Sequence, residues 1–120
     1  MVQTTTFLTT VKTAVKTVIS DNSTYLAVGT GTTAATAADT TLETEVTRKA
    51  RQEVTTGTSD VIVSLFLNST ESNSNSLTEV GVFDAAAAGN MIQRDTFTAI
   101  AKTSSIEVWI DVETQVTVTQ

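Results

Sequence analysis

The groups able to do chemistry in this chain are carboxylates, a few cations and one glycine-rich turn. Glu43, Glu45, Glu53, Glu79, Asp84 and Asp95 could supply the carboxyl pair that acid–base or glycosidic chemistry requires. Nothing in their spacing selects a pair, and they read as solvated charges or salt-bridge partners. The chain has no histidine and no cysteine. That removes the commonest general base, thiol nucleophiles, disulfides, Cys-ligated metals and the Ser-His-Asp arrangement. Oxygen-ligated Ca²⁺ stays chemically open, but the acidic residues do not follow EF-hand spacing. No catalytic, cofactor-binding or metal-binding residue is therefore assigned.

Gly29 and Gly31 stand in GTGTT, directly after a short apolar run. A phosphate loop would need Gly-Lys-Ser/Thr running into a helix, and a dinucleotide fingerprint would need a third glycine. Both are missing, so the segment reads as a tight turn that exploits glycine's freedom in φ. Arg48, Lys49 and Arg51 form the one basic cluster, offset by Glu43, Glu45 and Glu53. Ion pairing across a subunit boundary suits that cluster better than nucleic acid, which calls for a larger basic patch with aromatics. Glu79 is the most informative single residue, because it interrupts the otherwise apolar run from Leu77 to Phe83. It reads either as an outward-facing strand residue or as half of a structural ion pair with Arg48 or Arg94. Buried, such a pair would fix strand register more than it would add stability.

These groups need a scaffold. The 120 residues suit one domain spanning 1–120, and 40% hydrophobic content is enough for a core. The net charge of −6 disfavours nucleic acid and anionic membrane surfaces as partners. No apolar run approaches the roughly 18 residues of a membrane span. Residues 7–19 carry lysines within the apolar stretch, unlike a secretory leader.

Helical periodicity is clearest over about 5–19, where Phe7, Leu8, Val11, Ala14, Val15, Val18 and Ile19 form one stripe. Lys12 and Lys16 fall on the other face, and the stripe should pack on the domain's own sheet or on a neighbouring subunit. A β domain follows over about 24–119. Residues 25–28 read as a short strand, and 29–39 as a long small-residue loop of the kind that makes functional or intersubunit contacts. Gly29, Gly31 and Asp39 are its candidate assembly residues. Residues 42–51 could start as a short helix capped by Thr40 or Thr41 and turn extended near Thr47. Strands are expected over 61–67, 77–83, within 91–101 and over 105–119, the last with clear alternation through Val108, Ile110 and Val112. The expected fold is mainly β: a small antiparallel sandwich or open barrel of four to six strands with one N-terminal amphipathic helix.

Three blocks occur in order: LAVGTGTT at 26–33, leading to Asp39, Leu42, Glu45 and Arg48; LTEVGVFD at 77–84; and Gly89, Met91, Arg94, Phe97, Ile100 and Lys102. Together they resemble small virion proteins of tailed bacterial and archaeal viruses, of the tail-collar-fibre and baseplate-associated type. The resemblance covers roughly 25–118. It implies a β-rich structural subunit on the virion, on the tail or the capsid exterior, made in the host cytoplasm and without catalysis. Its implied partners are other virion proteins and itself, as a homotrimer or another symmetric oligomer, with a host-surface glycan or receptor as a further partner. A complete fibre continues into a shaft and tip, whereas this chain stops at Gln120, so the expectation is the module alone, built for assembly rather than adhesion. A tail-tip, baseplate or fibre-base role comes first. A capsid decoration protein and a carbohydrate-binding module are the alternatives, the last weakened by a single Trp and a single Tyr.

Overall fold

The computed structural model describes residues 4–118. Among them, helix α1 (Thr5–Asn22) precedes strands β1 (Tyr25–Gly29), β2 (Glu45–Ala50), β3 (Glu53–Thr56), β4 (Asp60–Leu67), β5 (Asn75–Phe83), β6 (Met91–Lys102) and β7 (Val108–Gln115). The strands form two sheets, a four-stranded one in the order β2-β1-β5-β6 and a three-stranded one in the order β3-β4-β7. All pairings are antiparallel. The mainly-β fold with one N-terminal helix is thus the architecture observed.

Period-two burial explains the layering. Leu26, Val28, Leu77, Val80 and Val82 of the larger sheet face Val61, Val63, Leu65, Leu67, Val108 and Val112 of the smaller one in a single apolar core. Leu77 and Val80 share that core despite an odd separation, because the β5–β6 register shifts between Leu77 and Glu79. The shift sends Glu79, Gly81 and Phe83 to the outer face. There the 30–44 loop folds back, and Leu42 packs with Ala27 and Phe83 in a second, smaller core.

Three expectations change. The segment after Leu42 forms no helix before β2, because the Glu43 and Thr44 amides are captured by a distant carboxylate. Strand β3 was not anticipated: it is short, polar and wholly exposed, and pairing with β4 creates it. The strand read over 105–119 is β7, ending at Gln115, although Val116 is still buried; residue 119 lies outside the described residues.

The helix also meets the domain differently. Thr4 caps it by accepting from the Phe7 amide at 3.2 Å. Lys12 and Lys16 face the domain rather than away from it, reaching the β3–β4 turn at Ser59, Gly57 and Thr58. Lysine stems can cover that turn while their ammonium groups satisfy its oxygens. Of the apolar stripe, Ile19 packs against the main core. No helical residue is fully buried. Among the described residues, no helix is long and apolar enough to cross a membrane.

Candidate functional site

The outer face of the larger sheet carries the most concentrated polar chemistry of the described residues. Glu79 is fully buried there, with 0% of its surface exposed. Its Oε2 accepts from the amides of Gly31 at 2.7 Å and Thr44 at 2.9 Å. Its Oε1 accepts from the Glu43 amide at 2.9 Å and from Arg94 Nε at 3.0 Å. Arg94, also buried, uses its other nitrogens on the same loop: Nη1 donates to Asp39 Oδ2 at 2.9 Å and Nη2 to the Thr33 carbonyl at 2.9 Å. Asp39 accepts in turn from the Thr36 amide at 2.9 Å. Glu79 and Arg94 therefore tie the 30–44 loop to β5 and β6 at five points, and to each other at a sixth.

Sheet register explains which arginine is used. Arg48, Ala27, Gly81 and Arg94 lie in one row across the four strands. The small residues in the middle leave the space that Leu42 fills, and a Cβ on Gly81 would lie 2.9 Å from Leu42 Cδ2. Arg94 leans one way, to Glu79. Arg48 leans the other way, with its guanidinium 3.6 Å above the centre of the Phe83 ring. It donates to the Ala85 and Ala88 carbonyls and pairs with Glu45 at 2.7 Å. Of the two arginines offered as partners for Glu79, Arg94 makes the contact. Arg48 instead anchors the 84–90 turn, which is closed by the Asn90 amide donating to Asp84 Oδ1 and contains positive φ at Ala88 and Gly89.

Gly29 and Gly31 have a different reason to be glycine from the one their sequence suggests. Among the described residues Gly89 is the one glycine with positive φ. A Cβ on either Gly29 or Gly31 would instead stand 2.5 Å from Glu79 Oε2. Close approach of backbone to carboxylate is what demands glycine. Both lie buried inside the hub, and Asp39 is half-buried against Arg94. The longest stretch of the loop open to solvent is 32–38, a run of threonine and alanine.

Electrostatics follow from these contacts. Burial pushes the Glu79 carboxyl up, but the Thr44, Glu43 and Gly31 amides together with Arg94 outweigh it and hold the group below its ordinary value of 4.5. The Thr36 amide holds Asp39 low, against burial and with help from Arg94. Burial lowers Arg94, yet Glu79 and Asp39 raise it further. Glu79 is thus an ionised carboxylate with four donors and no access to solvent, a geometry that leaves no lone pair directed at a substrate. The donors resemble an anion-binding nest, already occupied by the chain's own side chain. Among the described residues, no group of three acidic side chains gathers to hold a metal ion.

Sequence reasoning singled out Glu79, Arg94 and Asp39 but missed the main-chain donors, since no residue type marks a backbone amide that will receive a carboxylate, and it named Leu42 only within a resembling block, with no packing role. Lys102, named only within a resembling block, is buried and donates to Asn73 Oδ1 at 2.8 Å. On the smaller sheet's edge, Trp109 is 48% exposed beside Phe66, and its indole donates to Asp111 at 2.7 Å. No protein-family model matches the chain, and no curated protein matches it.

Proposed function

We propose that this chain is a structural subunit of a tailed-virus particle, a tail-tip, baseplate or fibre-base component that assembles as a homo-oligomer. The observation that supports it is the convergence of the resembling blocks. Gly29, Gly31, Asp39, Glu79 and Arg94, scattered over 66 positions of sequence, meet in one buried hub. Glu45, Arg48, Phe83 and Asp84 build the anchored turn beside it. The pattern that suggested virion proteins is therefore used to hold a shape. Above the hub, 32–38 offers small uncharged side chains, which lose little rotamer freedom when another surface closes on them.

Labelling intact particles with antibody to the recombinant chain tests this. Label at the tail end or its base is the expected result. Label spread over the shell would move the reading to capsid decoration, and unlabelled particles would sink both.

The carbohydrate-binding alternative has one observation in its favour. Trp109 borders a groove of about 490 Å³ with an apolar floor that includes Phe97 and Ile100, rimmed by Asp95, Thr96, Thr98 and Asp111. An aromatic face beside carboxylate and hydroxyl groups is a chemistry that sugars use. Glycan-array binding that disappears in Trp109→Ala would favour it.

A further inference from the structure

The sandwich is open along one side. Strands β6 and β7 are edge strands, β6 pairing only with β5 and β7 only with β4. At one end they are tied across the gap. The Thr114 hydroxyl donates to Gln93 Oε1 at 3.0 Å, and Gln93 Nε2 reaches the Glu113 carbonyl at 3.5 Å. Beyond that tie the strands part, and the groove of about 490 Å³ beside Trp109 lies between residues 95–98 of β6 and 109–112 of β7. Its floor is core. Val80 and Val112 belong to the main apolar cluster, and Phe97, Ile100 and Ile110 pack against it. An edge strand presents unpaired main-chain N–H and C=O groups, which charge or proline commonly guards. Strand β7 carries Asp111 and Glu113, whereas residues 97–101 of β6, the longest strand, have neither charge nor proline.

Charge selects the occupant. Each of the seven cationic side chains is already hydrogen-bonded inside the chain. Among the described residues they form salt bridges only with Asp39, Glu45, Glu71 and Glu79. Asp95 and Asp111, one on each wall of the groove, therefore have no cation. Asp111 accepts from the Ser64 hydroxyl and the Trp109 indole, and Asp95 from Gln93 Nε2. These neutral donors position the carboxylates without cancelling their charge. A second copy of the chain has no free side-chain cation to bring to them, whereas a segment rich in lysine or arginine does. Side chains of an extended segment alternate between its faces. Apolar residues at every second position would meet the floor, and cations between them would meet the rim. Four positions along each wall span about 13 Å, room for a short strand.

We infer that this groove takes an extended basic segment of another protein, which adds as a strand to the free edge of β6, with its apolar side chains on the floor and its cations at Asp95 and Asp111. The inference concerns a partner other than a copy of the chain. It stands or falls separately from the virion reading, which particle labelling tests.

Trp109 is the chain's one tryptophan and borders the groove, so its emission reports occupancy. A short capped peptide alternating lysine and valine, titrated at low salt, should shift that emission and saturate in the micromolar range. A lysine–serine peptide should bind at least about tenfold more weakly, because it leaves the floor uncovered. A glutamate–valine peptide should not bind. Asp95→Asn combined with Asp111→Asn should weaken lysine–valine binding several-fold and flatten its salt dependence, with the β-sheet circular dichroism unchanged. Successive amides of a strand point to opposite edges. Of two peptides, one N-methylated on every lysine and one on every valine, one should therefore bind and the other fail.

Trp109 emission that stays unchanged up to millimolar lysine–valine peptide would overturn the site. Equal binding of the glutamate–valine peptide would overturn the basic partner, and binding of both methylated peptides would overturn strand addition. An emission shift on concentrating the chain alone would mean that a copy fills the groove. An oligosaccharide that shifts the emission where the lysine–valine peptide does not would assign the groove to sugars.

Discussion

The loop-covered face of the larger sheet and the outer face of α1 reverse the usual order of inside and outside, in opposite directions. The first buries Glu79 and Arg94. The second leaves Phe7, Val15 and Val18 in solvent. The difference is completeness. Every hydrogen-bonding direction of the buried carboxylate is filled by the same chain, so the hub needs no partner. Helix α1 buries no residue fully within the chain, and Lys12 and Lys16 hold its other face to the β3–β4 turn. One region is a finished structural device and the other an open surface, and substitutions in the two should therefore differ in what they cost the fold.

The largest effect should come from breaking the pair. Arg94→Met leaves Glu79 buried without its cation and should cost about 3–5 kcal/mol in urea denaturation. A loss under about 1 kcal/mol would mean that water reaches the carboxylate and that the hub is not closed. Acid should act on the same group. Because the folded carboxyl is held below 4.5, its contribution is fully present above that value and is lost as pH falls through the lower folded value. Urea midpoints measured from pH 7 down to 3 should decline in wild type, and Glu79→Gln, less stable at pH 7, should decline less steeply.

A smaller effect is expected from Gly31→Ala. The added Cβ would crowd Glu79 Oε2, and the strain should cost about 1–3 kcal/mol. The smallest stability effect belongs to the other region. Val18→Ser, at a position 61% exposed on α1, should shift stability by less than about 0.5 kcal/mol in urea denaturation. A larger shift there would mean that this face of α1 is packed within the chain.

Much of the fold was legible from periodicity. Helix α1, strands β4 and β5 and the core of β7 follow from spacing alone. Glu79 was legible because a charge in an apolar strand needs a reason. The choice between Arg48 and Arg94 was not, since it depends on strand order: Arg94 lies on β6, the direct neighbour of β5, whereas β1 separates Arg48 on β2 from Glu79. The helix expected after Leu42 failed because local capping signals lost to a carboxylate 35 and 36 residues away that takes the amides of Thr44 and Glu43. Helix rotation was misread because two lysines on one face look solvated until a turn rich in carbonyls is placed beneath them. In each case a long-range polar contact overrode a correct local rule.

The central claim is that Glu79 is an ionised, saturated anchor rather than a reactive group. A carbon-detected NMR titration of its carboxyl carbon reads this directly. The account predicts a charged Glu79 throughout the native range, titrating below 4.5 or only as the domain unfolds in acid. A native-state midpoint at or above that value, with the fold intact, would contradict it.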